Sequence, residues 1–233
     1  MGSNFRTIFP DIERENIVKI AKKTLWSKDG EDAMSYLAQE RLISKETIDL
    51  FNVGFCPKWA NHELRGRIIT PIYDPYGGLS FLSTRIPRTK DKNTFFHEAI
   101  ANKGMCLYGI HMAKNAMIKR NKAIIVEGEM DTLFLQSQGF DTTVGILGCA
   151  FSIFHLSILS RYTNTIYYVV DGDRAGQKSI EKSINLCRRI CAQTVVNFIP
   201  VYIPNGLDPD DYIKKYGKKY FAYLLKQSEK NKI

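Results

Sequence analysis

The sequence predicts an α/β fold, a mostly parallel sheet flanked by helices, preceded by a smaller α+β subdomain. From residue 122 onward, short apolar runs alternate with helical segments, a pattern typical of parallel strands buried on both faces. Before residue 118 the order differs, because helices come first and a β-hairpin follows. A chain of 233 residues, 44% of them hydrophobic, is long enough to build both parts.

The N-terminal subdomain, residues 1–118, is predicted to begin with helices. Apolar residues recur at helical spacing from Asp11 to about Leu42, and Gly30 is expected to divide this stretch into two helices. Ser44 is typical of an N-cap and predicts a short helix that runs through Phe51.

A β-hairpin is predicted next. Two β-rich runs in GRIITPIYDPYGGLSFLSTRI are joined by a Pro-Tyr-Gly-Gly turn, which is typical of antiparallel strands. We expect the hairpin to bring Arg67 and Arg85 near one another. The polar and basic segment that follows, residues 87–104, is typical of a surface loop that has a function.

The rest of the chain is divided into an α/β domain, residues 119–207, and a helical tail, residues 208–233. Strands are predicted for AIIVE, TTVGIL, TIYYVV and TVVNFI. Helices are predicted for residues 129–138, 152–161 and 174–190.

Acidic residues occur where the predicted strands end. Glu127 follows the first strand of the α/β domain, and Asp171 and Asp173 follow the third. Asp208 and Asp210 come after the last strand. Because ligands of parallel sheets bind outside the carboxyl ends of the strands, we expect these carboxylates to converge. Converging carboxylates repel one another unless cations lie between them, so the pattern predicts a divalent-metal site for phosphoryl transfer.

Each of these acids also has an ordinary structural explanation. Aspartates near Pro and Gly commonly cap helices or lie in solvated loops. The occurrence of three acidic groups at corresponding strand ends is what favours the metal site.

Charge, cysteine spacing and the length of apolar runs indicate which partners and which cellular location to expect. The chain has 33 basic and 24 acidic residues, a net charge of +9, and this excess favours a polyanionic partner. Its five cysteines lack paired spacing, so we expect reduced thiols and no zinc. No apolar run reaches the about 20 residues of a membrane span and no signal-peptide core is seen, so we expect a cytoplasmic protein without a membrane partner.

Three motifs resemble a known family. IIVEGEMD, VVDGDRAG and GLDPDDYIKKYG are similar to the E-G-x-x-D, D-x-D-x-A-G and D-P-D elements of the TOPRIM domain in DnaG-type bacterial and phage DNA primases. YLAQERLISKETIDLFNVGFCP, GRIITPIYDPYGGLSFLSTR and NKGMCLYG resemble the N-terminal core subdomain of that family. TOPRIM motifs also occur in topoisomerases and small nucleases, so the upstream segments make the primase likeness specific.

The resemblance implies a TOPRIM fold and the synthesis of RNA primers from nucleoside triphosphates on single-stranded DNA. It implies that Glu127, Asp171 and Asp173 are catalytic, and that Asp208 and Asp210 complete a Mg²⁺ site that Mn²⁺ can also fill. It also implies that template, primer or nucleotide contacts Arg41, Arg67, Arg85, Lys92, Lys103 and Asp131.

Two features usual in full-length bacterial primases are missing from the sequence. No zinc-ribbon set of cysteines and histidines precedes the core, and only a short tail follows the last acidic motif. We therefore expect a compact phage or plasmid primase, an excised core, or a subunit that needs a zinc-bearing partner. A replicative helicase is a further expected partner, within a primosome.

Other functions stay open at this stage. A TOPRIM nuclease would use Glu127 as general base or acid toward water and would cleave nucleic acid without added triphosphates. A non-enzymatic scaffold would bind nucleic acid in a strongly salt-dependent way, with neither synthesis nor cleavage. A topoisomerase is disfavoured, because the chain has no room for the gate domain that would hold a nucleophilic tyrosine.

Overall fold

The structure is a computed structural model. It describes residues 9–59, 63–89, 95–97, 102–172, 180–187 and 196–232. The chain divides into two compact units, Met1–Asn102 and Lys103–Ile233.

The first unit begins with helices, as predicted. They are α1 (Asp11–Leu25), a 3₁₀ turn (Lys28–Gly30), α2 (Glu31–Ser35), a π-helical turn (Tyr36–Glu40) and α3 (Lys45–Leu50). Gly30 separates α1 from α2 because a Cβ at this position would collide with the carbonyl oxygens of Thr24 and Leu25. Ser44 is the N-cap of α3, and its hydroxyl accepts a hydrogen bond from the Thr47 N–H at 3.2 Å.

An antiparallel sheet of order β1-β2-β3-β4 completes the first unit. Its strands are β1 (Gly54–Cys56), β2 (Arg67–Tyr73), β3 (Leu79–Arg85) and β4 (Phe95–His97). The predicted hairpin is β2–β3. Its turn is tied by the Asp74 carboxylate, which accepts hydrogen bonds from the N–H groups of Tyr76 and Gly78 at 2.7 and 2.9 Å. Ile69 and Leu82 pack on Val18 of α1 and form the core of this unit.

The second unit is the predicted α/β fold. Over the described residues, its sheet consists of four parallel strands, β5 (Ala123–Val126), β6 (Thr143–Gly145), β7 (Thr165–Val170) and β8 (Asn197–Tyr202). Its helices are α4 (Ile110–Arg120), α5 (Glu129–Ser137), α6 (Ile153–Leu159), α7 (described over residues 180–187), α8 (Pro209–Tyr216) and α9 (Lys218–Ser228). The last strand continues to Tyr202, beyond the predicted TVVNFI. Pro200 is accommodated because β8 is the outermost strand of the sheet as described.

Helix α4 belongs to the second unit. Its buried side chains Ile110, Ala113 and Met117 lie in one core cluster with Ile125 of β5 and Tyr168 of β7. The sequence predicts that the N-terminal subdomain ends at residue 118, whereas the two compact units divide before α4. Apolar spacing within a helix shows that one face is buried but does not show which sheet buries it.

The strand order of the second sheet, β6-β5-β7-β8, creates a topological switch point. The chain passes from β5 to β6 on one side and then crosses to β7 on the other side of β5. In open parallel sheets, ligands bind at the carboxyl ends of the two strands that flank such a point. The topology therefore predicts a ligand site at the carboxyl ends of β5 and β7. None of the helices in the described ranges is both long and apolar enough to cross a bilayer.

Candidate functional site

Glu127 lies at the switch point, directly after β5. Its backbone carbonyl accepts a hydrogen bond from the Gly148 N–H at 2.8 Å, in the loop that follows β6. The parallel register places Ile125 beside Tyr168, so the end of β5 adjoins the end of β7. The Glu127 side chain is half-buried there.

Asp171 directly follows β7 and is also half-buried. The next residue, Gly172, donates its N–H to the carbonyl oxygen of Leu207 at 2.8 Å, and Leu207 immediately precedes Asp208. A Cβ at Gly172 would lie 2.5 Å from the Ile203 carbonyl oxygen, so the loop can approach only a glycine. The structure thus brings Glu127, Asp171 and Asp208 to one edge of the sheet, which we call the acidic rim.

Asp208 and Asp210 have local partners in α8. Asp208 is the N-cap, and its Oδ1 accepts a hydrogen bond from the Asp211 N–H at 2.6 Å. Asp210 is 1% exposed, and its Oδ1 lies 2.6 Å from the Lys214 ammonium. The capping explanation therefore holds for one oxygen of Asp208, and Asp210 pairs with a lysine one turn further along the helix.

The acidic rim fits a hard divalent cation in its chemistry, since its donors are carboxylate oxygens. In the part of the chain that the structure describes, no group of three or more His, Cys, Asp or Glu side chains is gathered closely enough to hold a metal ion. Asp173 lies outside the described residues. Convergence of all five predicted ligands on one ion therefore stays a prediction.

Two glycines shape the site around α5. Gly128 is the N-cap, and a Cβ there would lie 3.0 Å from Oδ2 of Asp131, so this carboxylate folds back over the positive end of the helix. A Cβ at Gly145 would lie 2.6 Å from Oγ1 of Thr132 and 2.9 Å from the Gly128 carbonyl oxygen. The missing side chain at Gly145 lets α5 pack closely against β6.

Lys103 opens a 3₁₀ turn (Lys103–Met105) of the second unit. Burial raises the pKa of the Cys149 thiol, and the positive charge of Lys103 opposes part of this rise. A few residues after the turn, Tyr108 and Gly145 exchange two backbone hydrogen bonds at the end of β6. The turn that begins with Lys103 therefore lies on the β6 side of the acidic rim.

Arg67 and Arg85 lie at the same end of neighbouring strands but on opposite faces of the sheet. Arg85 is directly opposite Ile68, and directly opposite residues share a face, whereas successive residues of a strand alternate. The two residues are therefore close along the hairpin, as expected, but their side chains project from opposite faces of the sheet. Arg67 is buried, which lowers its pKa, while Arg85 is half-buried and lies 5.9 Å from the centroid of the Tyr36 ring.

Arg41 ends the π-helical turn, where its N–H donates to the Tyr36 carbonyl at 2.9 Å. Such turns are frequent at functional sites. Arg88 braces this turn, since its guanidinium donates to Glu40 and Asp32 at 2.6 Å and lies 5.7 Å from the Tyr36 ring centroid. The hydrogen bonds to Glu40 and Asp32 raise the pKa of Arg88.

Sequence reasoning missed Arg88, Lys214 and His155. Lys92, which the family resemblance implies as a ligand contact, lies outside the described residues. The acids that Arg88 binds are distant in sequence, so no local signal pointed to it. Lys214 was detectable as the i+4 partner of Asp210 on a helix. His155 was detectable from the S-x-x-H spacing after a predicted strand, which is related to a capping box.

The chain is similar in sequence to a family model and to known proteins. A Toprim-like family model matches residues 124–213. The DNA primase of Aquifex aeolicus is 33% identical over 171 residues, which cover 70% of this chain and 32% of that protein. The DNA primase of Rickettsia felis is 30% identical over 90% of this chain and 40% of its own length. The chain therefore spans less than half the length of these relatives.

The fold has close counterparts among solved structures. The structure of a DnaG primase catalytic domain bound to single-stranded DNA matches with a TM-score of 0.83 and 24% identity, covering 92% of this chain and 79% of that chain. Because the sequence identity is only 24%, this match shows a similarity of fold alone.

Proposed function

This chain has the catalytic core of the DnaG-type DNA primases, and from that premise we propose that it synthesises short RNA primers on single-stranded DNA. The observation that carries the proposal is the acidic rim. Glu127 and Asp171 follow the two strands that flank the switch point, and the hydrogen bond from Gly172 to Leu207 holds Asp208 at the same edge.

In the proposed reaction, the 3′-hydroxyl of the growing RNA attacks the α-phosphate of a ribonucleoside triphosphate. A phosphodiester bond forms, the bond to the β-phosphate breaks and pyrophosphate leaves. This chemistry depends on positioning and on charge stabilisation more than on covalent catalysis. A rim of fixed carboxylates beside a lysine suits it.

The family implies the use of a divalent metal, and we propose Mg²⁺, with Mn²⁺ able to substitute. Glu127, Asp171 and Asp208 would hold it together with Asp173, and Asp210 would join by exchanging Lys214 for the ion. A bound divalent cation supplies charge stabilisation at the reacting phosphates. Gly128 and Gly172 let Asp131 and the loop after β8 approach the backbone beside these carboxylates.

Basic residues are proposed to bind the nucleic acid and the nucleotide. They are Arg41, Arg67, Arg85, Lys92 and Lys103, and Asp131 is also proposed to contact template, primer or nucleotide. The planar guanidinium fork suits phosphate oxygens. A hydrogen bond to the Tyr36 carbonyl holds the backbone of the half-buried Arg41, and the guanidinium group of the half-buried Arg85 lies over the Tyr36 ring. The single-stranded DNA in the DnaG structure supports a DNA template for this chain.

A primer-extension assay tests the proposal. The chain is incubated with Mg²⁺ or Mn²⁺, labelled ribonucleotides and single-stranded DNA to which a short RNA is annealed, so that extension does not require initiation. Lengthened RNA is expected with wild type and none with Glu127→Gln. Degradation of the nucleic acid without triphosphates would identify a nuclease, and salt-dependent binding without either reaction would identify a scaffold.

The protein partners are also proposals. We propose that the chain works in the cytoplasm with a replicative helicase or a zinc-bearing chain. Initiation on unprimed DNA, measured with and without such a chain, tests this proposal separately from extension.

A further inference from the structure

His155 is fully buried and is bonded through both ring nitrogens. It lies in the first turn of α6, three residues after the N-cap Ser152. Its Nδ1 is 3.2 Å from the backbone N of Ser152, and its Nε2 is 3.1 Å from the carbonyl oxygens of both Lys103 and Cys106. The Ser152 hydroxyl adds a bond to the same turn, because it donates to the Gly104 carbonyl at 2.5 Å.

These partners fix the tautomer of the imidazole. The Ser152 N–H can only donate, so Nδ1 accepts, and the two carbonyl oxygens can only accept, so Nε2 carries the hydrogen. Burial lowers the pKa of His155, and the bonds to the two carbonyls oppose part of this shift. A neutral ring with hydrogen on Nε2 therefore satisfies all three of these backbone partners.

The turn that His155 holds begins with Lys103 and lies on the β6 side of the acidic rim, because Tyr108, shortly after it, pairs with Gly145 at the end of β6. Helix α6 thus anchors this lysine through three carbonyl groups, those of residues 103, 104 and 106. A lysine has four rotatable side-chain bonds, so the position of its backbone decides which space the ammonium can reach.

We propose that His155 is a positioning residue for Lys103: together with Ser152 it holds the turn so that the ammonium stays at the acidic rim, within reach of a nucleotide or template phosphate. The identity of the bound phosphate rests on the proposed function. The electrostatic effect of Lys103 on the Cys149 thiol does not, and it can be measured without any reaction.

Two substitutions separate the two sides of the ring. His155→Gln can place an amide N–H near the position of Nε2 and keep the bonds to the turn, but it lacks the Nδ1 acceptor. His155→Asn can accept from the Ser152 N–H and cap α6, but it is too short to reach the turn. If His155 positions Lys103, the Asn variant is defective and the Gln variant is close to wild type. The reverse order means that His155 serves α6 alone and overturns the proposal.

The first readout is the pH dependence of Cys149 alkylation by iodoacetamide, followed on the Cys149 peptide by mass spectrometry. Lys103→Ala gives the reference, since loss of the nearby charge raises the pKa of this thiol. His155→Asn is expected to shift the profile in the same direction and His155→Gln to leave it unchanged. If the Asn variant does not fold, Ser152→Ala, which keeps the imidazole, takes its place. This variant is expected to give a smaller shift of the profile in the same direction. Unchanged profiles in both the His155→Asn and the Ser152→Ala variants would overturn the proposal.

The second readout is the KM for ribonucleotide in primer extension. His155→Asn is expected to raise it about tenfold, the lower end of what is seen when a supporting residue is lost. In a Lys103→Ala background the same substitution is expected to change KM less than about twofold, because its effect passes through Lys103. A full effect in that background overturns the proposal. Absence of extension by wild type would contradict the proposed function, while the alkylation profile would still decide the role of His155.

Discussion

The two sheets of this protein gather charged residues in different ways. In the parallel sheet β5–β8 every strand ends at the same edge, so Glu127 and Asp171 become neighbours through topology. In the antiparallel sheet β1–β4, strand direction alternates, and the pairing register decides from which face of the sheet each side chain projects. The side chains of Arg67 and Arg85 therefore project from opposite faces although their strands are adjacent. A parallel sheet concentrates strand-end residues on one edge, whereas an antiparallel sheet pairs side chains only when the register allows it.

The largest effect is expected at the parallel edge. Glu127→Gln removes the charge at the switch point and keeps the size of the side chain, so primer extension should fall by at least about 10²–10³-fold. Because the rim acids are proposed to act as a unit, adding Asp171→Asn should lower the rate little further. Extension is measured by gel, with far-ultraviolet circular dichroism to show that the fold is kept. Multiplicative losses in the double variant would argue that the two carboxylates work independently.

A backbone contact at the same edge gives the second prediction. Gly172→Ala places a Cβ 2.5 Å from the Ile203 carbonyl oxygen and 2.9 Å from the backbone N of Gly206, so the loop carrying Asp208 must shift. We expect a loss of about 1–3 kcal/mol in the free energy of unfolding, as for other overpacked sites, and a loss of extension.

Gly139→Ala is the matched control for Gly172→Ala. Its φ is +92° and no atom lies within 4 Å of the added Cβ, so it strains the backbone without displacing the acidic rim. Both variants are compared by urea unfolding and by extension. Equal loss of activity at equal loss of stability would mean that the loop position after β8 is unimportant for the reaction.

The contrast between the sheets also explains what the sequence could predict. Strand type, helix order and the shared edge for Glu127, Asp171 and Asp208 follow from apolar runs and from the geometry of parallel sheets. The face of the sheet from which the Arg85 side chain projects depends on the pairing of Arg85 with Ile68, and no local sequence pattern specifies this pairing. The bonds from His155 to the turn at Lys103 join segments about 50 positions apart, so the spacing suggests a cap but not its second partner.

The arginine pair gives the third prediction. Arg67→Ala and Arg85→Ala should each weaken binding of a labelled single-stranded DNA and lower the dependence of its affinity on salt by about one phosphate contact. Because the side chains leave opposite faces, their effects on binding free energy should add within about 0.5 kcal/mol. Fluorescence anisotropy at several salt concentrations measures both quantities. A coupling well above that value would show that the two guanidinium groups share a phosphate despite the register.

The smallest effect is expected at Asp210. Its buried carboxylate is paired with Lys214, so an incoming divalent cation has to displace the ammonium. Lys214→Met should therefore raise the affinity for Mn²⁺ by roughly fivefold, equivalent to about 1 kcal/mol, as measured by calorimetric titration. The neighbouring Lys215→Met, which changes the same charge on the exposed side of α8, is the control and should have no such effect.

The same variant distinguishes a ligand from a structural acid. Without its lysine, a buried carboxylate destabilises the fold, and if Asp210 belongs to the metal site, Mg²⁺ should restore the melting temperature of Lys214→Met more than that of wild type. If Asp210 serves only to anchor α8, the variant loses stability and Mg²⁺ does not recover it. That outcome would confine the metal site to the acidic rim, whose carboxylates lie at the ends of β5 and β7 and at the N-cap of α8.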